Sequence, residues 1–226
     1  MPTPTVAIVV AAGAGVRMGA AVPKALMPLA GRPMLAWSLD ALRASPRVGT
    51  VVVVAPPGLE GEVAAVAGAD AIVVPGGASR SASVREGLRA VPVDAAVVLV
   101  HDAARPLVST ELVEAVLDGV EGADGAIAAA PAADTLKRAG EGLVIEDTVP
   151  RQGLWAAQTP QAFRALALRD AVEAAAAAGT LDIATDCASM VEARGGRVRL
   201  IESLTPNLKV TTPADAALAG ALLGAQ

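Results

Sequence analysis

The chain has 226 residues and a formal net charge of −5, with 54% hydrophobic and 1% aromatic residues. This length can bury a sizeable core and favours a single domain over residues 1–226. An acidic chain with so few aromatic side chains lacks the cationic surface and the stacking platform of a nucleic-acid-binding protein. One cysteine and one histidine exclude an internal disulfide and a zinc cluster, so any metal should have oxygen ligands.

The hydropathy of the sequence predicts no membrane-spanning segment and no membrane among the protein's partners. No apolar run reaches the length that spans a bilayer, and the first predicted strand begins near the N-terminus without a basic, cleavable leader. We therefore expect a soluble, cytoplasmic protein.

Short apolar runs alternate with helical patterns along the chain. We predict strands at Val6–Ala12, Thr50–Ala55, Ala71–Val74, Ala95–His101 and Gly125–Ala130. We predict helices near Pro33–Ala44, Leu59–Ala67, Ser83–Ala90 and Ser109–Val120, and a closing helix capped by Thr212 with Pro213 and Asp215 in its first turn. The alternation predicts an α/β fold with a Rossmann-like, doubly wound, mostly parallel sheet.

Residues 131–152 interrupt this alternation. They mix polar and apolar residues, carry several charges and contain the turn Gly140-Glu141-Gly142, which together predict a protruding β-hairpin, here called the arm. A hairpin too thin to fold alone must pack on something, and a second subunit is a candidate.

The first predicted strand runs into a glycine-rich loop, Ala11-Ala12-Gly13-Ala14-Gly15, which Arg17 and Lys24 follow. Glycines let successive N–H groups converge on an anion, and two cations add to the backbone dipoles. The pattern favours a nucleoside triphosphate, although a glycine-rich turn with two solvated cations remains an alternative.

Two better-known phosphate loops do not fit this segment. A dinucleotide fingerprint needs a glycine three residues after Gly15, whereas Gly19 comes four after it, and no acid closes the strand at Thr50–Ala55. No Gly-Lys-Ser/Thr follows a four-residue gap either, so the Walker pattern also fails.

Asp102 follows the predicted strand Ala95–His101. Ligands of open α/β sheets bind at the carboxyl ends of strands, so a carboxylate there could hold Mg²⁺ against a triphosphate. The alternative is an aspartate that caps a turn and pairs with Arg105. His101 fits a packing residue better than a catalyst.

A second glycine-rich loop, Gly76–Ser83, enters a helix. Its hydroxyl and N–H groups could bind a base edge, a ribose or a phosphate, while Ser81 or Ser83 could equally be a helix N-cap.

Together these motifs closely resemble the 2-C-methyl-D-erythritol 4-phosphate cytidylyltransferase family, in order and over essentially the whole chain. The resemblance rests on Ala11–Gly15 with Arg17-Met18, Pro23-Lys24, Gly76-Gly77 with Arg80 and Ser83, Val100–Pro106, Thr159-Pro160-Gln161 and Lys209-Val210-Thr211. It implies an enzyme of the non-mevalonate isoprenoid route, in which an oxygen of the acceptor phosphate attacks the α-phosphorus of CTP and pyrophosphate leaves, with Mg²⁺ required.

Carried over by position, the resemblance makes Arg17, Lys24 and Lys209 the catalytic cations. It assigns nucleotide contacts to Ala11, Ala12, Gly13, Ala14, Gly15, Gly77, Ser83 and Ala103. It assigns acceptor contacts to Asp102, Arg105, Thr135, Arg151, Thr159 and Lys209, with Asp102 also the Mg²⁺ ligand. Since Thr135 and Arg151 belong to the arm, the resemblance implies a homodimer in which the arm of one subunit reaches the site of the other.

The chain departs from the family pattern at Ala78 and Cys187, where relatives often carry an acid. Cys187 is expected to be a buried small residue and not a nucleophile. A ribitol-5-phosphate cytidylyltransferase shares many motifs, but its relatives tend to carry Ser-Val at Ala103-Ala104. The same fold could also serve a non-catalytic nucleotide-binding protein or a nicotinamide-dependent oxidoreductase, because fold does not fix function.

Overall fold

A computed structural model describes residues 5–13 and 23–224 of the chain. Its strands are β1 (Thr5–Val10), β2 (Pro28–Leu29), β3 (Arg32–Pro33), β4 (Val48–Ala55), β5 (Ala71–Pro75), β6 (Val97–Asp102), β7 (Gly125–Pro131), β8 (Leu136–Ala139), β9 (Ile145–Val149), β10 (Trp155–Arg164) and β11 (Val198–Glu202). Its α-helices are α1 (Met34–Arg43), α2 (Glu60–Ala67), α3 (Arg80–Ala90), α4 (Thr110–Gly119), α5 (Ala165–Ala177), α6 (Cys187–Ala193) and α7 (Pro213–Gly224). None of the helices in these two ranges is long and apolar enough to cross a membrane.

Seven strands form one sheet in the order β11-β7-β10-β6-β1-β4-β5. All pairs are parallel except those of β10, which runs antiparallel to both of its neighbours. The side chains of β1 alternate between two cores, with Ala7 and Val9 facing α1, α2 and α4, and Val6 and Ile8 facing α3, α5 and α6. Helices on both faces of a mostly parallel sheet confirm the predicted α/β class.

The sequence pattern missed β10. Its residues 158–161 are polar or proline, and its pairing with β7 breaks between Ala157 and Gln161. Pro160 has no N–H to donate to a ladder, so the period-2 pattern is lost where the strand is irregular. β10 lies between β7 and β6, and it carries Thr159 beside the end of β6.

The termini of two helices test the capping predictions. In α7 the Thr212 hydroxyl accepts from the Asp215 N–H at 3.2 Å, and the Asp215 carboxylate accepts from the Thr212 N–H at 2.8 Å, which confirms the predicted cap. α3 begins three residues earlier than predicted, since Ser79 caps it by accepting from the Ala82 N–H at 3.0 Å. Neither Ser81 nor Ser83 is therefore the N-cap.

Within the arm, β8 and β9 form an antiparallel pair, with Leu136 opposite Val149. Nearly every residue from 133 to 148 is exposed, including Leu143 and Val144. A two-stranded hairpin with no covered face is marginal in water. That the arm contributes to a homodimer stays a prediction.

Candidate active site

A cavity of about 500 Å³ opens where β1 and β6 end. Its wall combines four segments that are distant in sequence: Val10–Gly13, Lys24-Ala25, Gly77–Arg80 with Ser83, and Asp102–Ala104, completed by Lys209 and Thr211. The structure thus brings together Ala11, Ala12, Gly13, Lys24, Gly77, Ser83, Asp102, Ala103 and Lys209, as expected for one site. Ala14, Gly15 and Arg17 lie outside the described residues.

Main-chain hydrogen bonds hold the first glycine loop to its neighbours. The Ala11 N–H donates to the Val54 carbonyl at 2.9 Å, and the Ala103 N–H donates to the Val10 carbonyl at 3.1 Å. These bonds extend the sheet ladder beyond the strand ends, so the loop after β1 and the loop after β6 start from fixed positions. This part of the cavity wall, called the floor here, consists of Ala11–Gly13 and Ala103-Ala104, whose small or absent side chains let a ligand approach the backbone closely.

The second glycine loop packs tightly against this floor. A Cβ on Gly76 would lie 2.4 Å from the Ala12 Cβ, and one on Gly77 would lie 2.6 Å from the Ala82 Cβ. The Ser83 hydroxyl donates to the Ser79 carbonyl at 2.8 Å and accepts from the Gly77 N–H at 3.2 Å. Ser83 therefore shapes the loop, and its contact with a nucleotide stays a prediction.

Asp102 is held between two cations. Its Oδ1 accepts from Arg80 Nε at 2.9 Å and its Oδ2 accepts from Lys209 Nζ at 2.7 Å, while its side chain is only 9% exposed. Burial raises the pKa of this carboxyl, but Arg80 and Lys209 lower it by more, so the pKa lies well below its usual range. The carboxylate is thus ionised, and it links two cations, Arg80 and Lys209, that come from separate segments of the chain.

Arg105 does not pair with Asp102 as the turn-cap alternative expected. Its N–H donates to the Asp102 carbonyl at 2.9 Å, which makes the turn, but its guanidinium donates to the Asn207 carbonyl at 2.7 Å. Burial lowers the Arg105 pKa, and the side chain lines the region beside Asp102 and Lys209. The turn is present, but the main-chain carbonyl of Asp102 makes it and not the side chain, and the predicted side-chain pair with Arg105 was wrong.

A smaller cavity of about 260 Å³ adjoins the first and shares Arg80, Asp102 and Lys209 with it. Arg105 and Thr159, both predicted acceptor contacts, line this second cavity. Thr135 and Arg151 line neither cavity: Thr135 is exposed on the arm, and the Arg151 guanidinium donates to the Ala133 carbonyl at the arm's base. The acceptor set is thus split between the body of the chain and the arm.

Cys187 lies behind Arg80, whose guanidinium approaches its Sγ to 3.8 Å. The thiol is fully buried, and burial raises its pKa to about 11 even though Arg80 acts in the opposite direction. It is therefore protonated at neutral pH. The expectation of a buried cysteine is confirmed, and the raised pKa of the thiol argues against a nucleophilic thiolate.

A family model described as "IspD: 2-C-methyl-D-erythritol 4-phosphate cytidylyltransferase" matches residues 5–225. The chain belongs to this family. A cytidylyltransferase of the same description from Frankia casuarinae is 50% identical over 96% of this chain and 80% of its own length. One from Saccharopolyspora erythraea is 47% identical over 96% of this chain and 98% of its own.

Solved structures agree with this assignment. The crystal structure of the 2-C-methyl-D-erythritol 4-phosphate cytidylyltransferase from Thermus thermophilus is 37% identical and covers 96% of this chain and 98% of its own, with a TM-score of 0.81. The 4-diphosphocytidyl-2C-methyl-D-erythritol synthase from Anaerococcus prevotii is 26% identical with a TM-score of 0.85, covering 99% of this chain and 100% of its own. As a member of this family, the chain is a nucleotidyltransferase, so neither an oxidoreductase nor a non-catalytic binding protein describes it.

Sequence reasoning assigned no role to several residues that build this cytidylyltransferase site. Arg80 stood in the quoted motif, but its pairing with Asp102 across 22 residues leaves no local signal. Gln161, Asp186 and Asn207 are similar cases, since each bonds to groups distant in sequence. Gln161 stood in the quoted motif Thr159-Pro160-Gln161, and a polar run within a buried segment was the signal that could have pointed to it.

Proposed function

We propose that this chain transfers the cytidylyl group of CTP to 2-C-methyl-D-erythritol 4-phosphate in the non-mevalonate isoprenoid route, releasing pyrophosphate. The observation that carries the proposal is the cluster of Arg80, Asp102 and Lys209 at the border of two cavities. The larger cavity has glycine-rich walls and Lys24, as a nucleotide needs. The smaller has polar walls with Arg105, as a phosphorylated polyol needs.

The cations divide between the two ligands. Lys24 lines the larger cavity beside Gly13, so we assign it, together with Arg17 from the family resemblance, to the triphosphate of CTP. Lys209 lines both cavities and is 40% exposed, which suits it to the phosphate groups that meet there. Positive charge at the meeting point stabilises the charge that develops in phosphoryl transfer.

The chemical step requires no base from the protein. An oxygen of the acceptor phosphate forms a bond to the α-phosphorus of CTP, and the bond from that phosphorus to the bridging oxygen breaks with its electron pair leaving on pyrophosphate. The acceptor phosphate is already ionised near neutral pH. His101 is fully buried with both ring nitrogens in contact with protein groups, so it is not placed to take a proton from a ligand.

Mg²⁺ fits this site with Asp102 as its protein ligand. The described residues contain no cluster of three or more acidic, histidine or cysteine side chains, so the protein would supply one carboxylate and the triphosphate would supply further oxygens. Mg²⁺ is commonly held in this way, by one or two carboxylates and substrate phosphates. When bound, the ion neutralises triphosphate charge, and Asp102 would then share its oxygens between the ion, Arg80 and Lys209.

The arm completes the proposal. Leu143, Val144 and Ile145 are 87%, 66% and 60% exposed near its tip, an apolar surface that a hairpin of two strands cannot cover by itself. We assign this surface to a second copy of the chain in a homodimer. Thr135 and Arg151 line neither cavity of their own subunit. In the dimer they would instead reach the smaller cavity, here called the acceptor cavity, of the neighbouring subunit.

The test is pyrophosphate release by the purified protein with Mg²⁺ and CTP. We expect release with 2-C-methyl-D-erythritol 4-phosphate and not with ribitol 5-phosphate, with the cytidylylated product identified by mass. Release with ribitol 5-phosphate alone would move the chain to the sister activity. No release with either acceptor would overturn the proposal.

A further inference from the structure

Four residues behind Asp102 form a closed ring of hydrogen bonds. Thr159 Oγ1 lies 3.2 Å from His101 Nδ1, and His101 Nε2 lies 3.2 Å from the Arg105 carbonyl oxygen. Arg105 Nη1 donates to the Asn207 carbonyl at 2.7 Å, and Asn207 Nδ2 donates to the Thr159 carbonyl at 2.9 Å. His101, Thr159 and Asn207 are at most 3% exposed. Three of the four members are therefore shielded from water, and losing the bond between Thr159 and His101 would leave a buried group unpaired.

The chemistry of the partners sets the direction of each bond. The Arg105 carbonyl can only accept, so His101 Nε2 carries the hydrogen. A neutral imidazole then has a bare Nδ1, which accepts from the Thr159 hydroxyl. That same hydroxyl oxygen accepts from the Asp102 N–H at 3.1 Å. A single continuous relay thus runs from the Asp102 main chain through Thr159 and His101 to Arg105.

The ring joins three chain segments that line the smaller cavity. His101 precedes Asp102 at the end of β6, Thr159 belongs to β10, and Asn207 precedes Lys209 by two residues. Neither cavity is lined by His101 or Asn207. Their effect on a ligand must therefore pass through the residues that they hold.

We propose that His101 is a positioning residue for the acceptor, which fixes the main chain of Asp102 through Thr159. Its bond to the Arg105 carbonyl orients the imidazole, while Arg105 is also held by the bond from its N–H to the Asp102 carbonyl and by the bond from its guanidinium to the Asn207 carbonyl. This inference rests on the proposed function, because it concerns the acceptor cavity of the same site. It gives the single histidine of this chain a part in the reaction that involves no proton transfer. Asp102 lines both cavities, but Gly13, Gly77 and Lys24 are outside the ring, so a ligand in the larger cavity keeps more of its contacts than a ligand in the smaller one.

Two substitutions divide the ring at His101. In His101→Asn the amide oxygen reaches the place of Nδ1 and can still accept from Thr159, whereas in His101→Gln the amide reaches the place of Nε2 and leaves the Thr159 hydroxyl without its acceptor. We expect His101→Gln to raise the KM for 2-C-methyl-D-erythritol 4-phosphate by about tenfold or more, because a Thr159 hydroxyl without its acceptor no longer holds the Asp102 main chain in place. His101→Asn, which gives up only the bond to the Arg105 carbonyl, should stay within about threefold of the wild type. In both variants the KM for CTP should change less than the KM for the acceptor.

The control is Thr110→Val, which removes a hydrogen bond of 3.1 Å from the Thr110 hydroxyl to the Ala41 carbonyl, between α4 and the last turns of α1. It costs stability without touching the ring, so it should leave both KM values unchanged. A loss of folded protein lowers the apparent kcat and moves neither KM. Thr159→Val breaks the relay from its other side, and combining it with His101→Gln should raise the acceptor KM no further than Thr159→Val alone. If His101→Gln does not fold, Thr159→Val takes its place in the comparison with His101→Asn.

The wild-type assay separates the two claims. Wild-type protein without transferase activity would overturn the proposed function and this inference with it. Active wild-type protein would overturn the inference alone under any of three results: an acceptor KM of His101→Gln within threefold of the wild type, equal effects of the Asn and Gln substitutions, or multiplicative effects in the double variant.

Discussion

The end of β6 and the arm at residues 131–152 differ in how far one chain supports them. Asp102 at the end of β6 is 6% exposed and bonds to Arg80 and Lys209, whereas nearly every arm residue is exposed and the arm's strands bond mainly to each other. A buried, paired charge loses much if one partner is removed, while an exposed side chain loses little. The contrast teaches that contacts within one subunit hold the Asp102 cluster together, whereas the exposed arm lacks such support and is the surface that the proposed dimer would cover.

The largest effect tests the body of the site. We expect Lys24→Ala to lower turnover by about 100- to 1,000-fold, since it removes a cation from the developing charge of the transition state. The urea midpoint should change little. Arg89→Ala, which removes an exposed pair with Glu86 within α3, is the matched control and should keep wild-type turnover. Turnover of Lys24→Ala close to that of the wild type would refute the assigned role.

The same contrast explains what the sequence could predict. The glycine loops, Asp102 and the lysines each stand in a short contiguous motif, so local patterns could single them out, and the family resemblance then predicted that they belong to one site. The Thr212 and Asp215 cap was predicted for the same reason, since a capping box is complete within four residues. Arg80's partner, the ring through Asn207 and the antiparallel β10 depend on contacts between distant segments, which no local period encodes.

The second prediction asks whether the arm completes a neighbouring site. Arg151→Ala should raise the acceptor KM by about tenfold, because a charge-assisted contact to a phosphate is lost. A mixture of Arg151→Ala and Lys24→Ala subunits should then regain activity. In each mixed dimer, one site combines the intact Lys24 of one subunit with the intact Arg151 of the other.

Random mixing makes half of the dimers mixed, and one of two sites in each is intact, so roughly a quarter of wild-type activity should return. The measurement is turnover at an acceptor concentration near the wild-type KM, after subunit exchange verified by mass. Mixed dimers without recovered activity would show that each site is built within one subunit.

The third prediction concerns the arm's apolar surface. Val144→Asp should weaken the dimer by about tenfold or more in Kd, because a charge would replace an apolar side chain that the partner buries. Stability of the body should stay within about 0.5 kcal/mol, as is usual for an exposed position. Val93→Asp is the matched control, since Val93 is 94% exposed on the body. The dimer Kd of each variant is measured by light scattering. A Kd of Val144→Asp equal to that of the wild type and of Val93→Asp would contradict the prediction.

The smallest expected effect concerns the burial of Cys187, which lies in contact with Arg80. Cys187 is buried with its pKa raised from an ordinary value of 9.0 to about 11, so the folded chain keeps a proton that the unfolded chain loses. Stability should therefore fall as the pH rises from 9 to 11, by about 1 kcal/mol between pH 9 and pH 10. The difference between the wild type and Cys187→Ala in urea unfolding isolates this contribution, since the lysines, which titrate in the same range, are common to both proteins. Native thiol labelling at pH 8 should likewise be slow and should accelerate in urea. Rapid labelling of the native protein would mean that the wall behind Arg80 opens as readily as an exposed hairpin, and the contrast between body and arm would then fail.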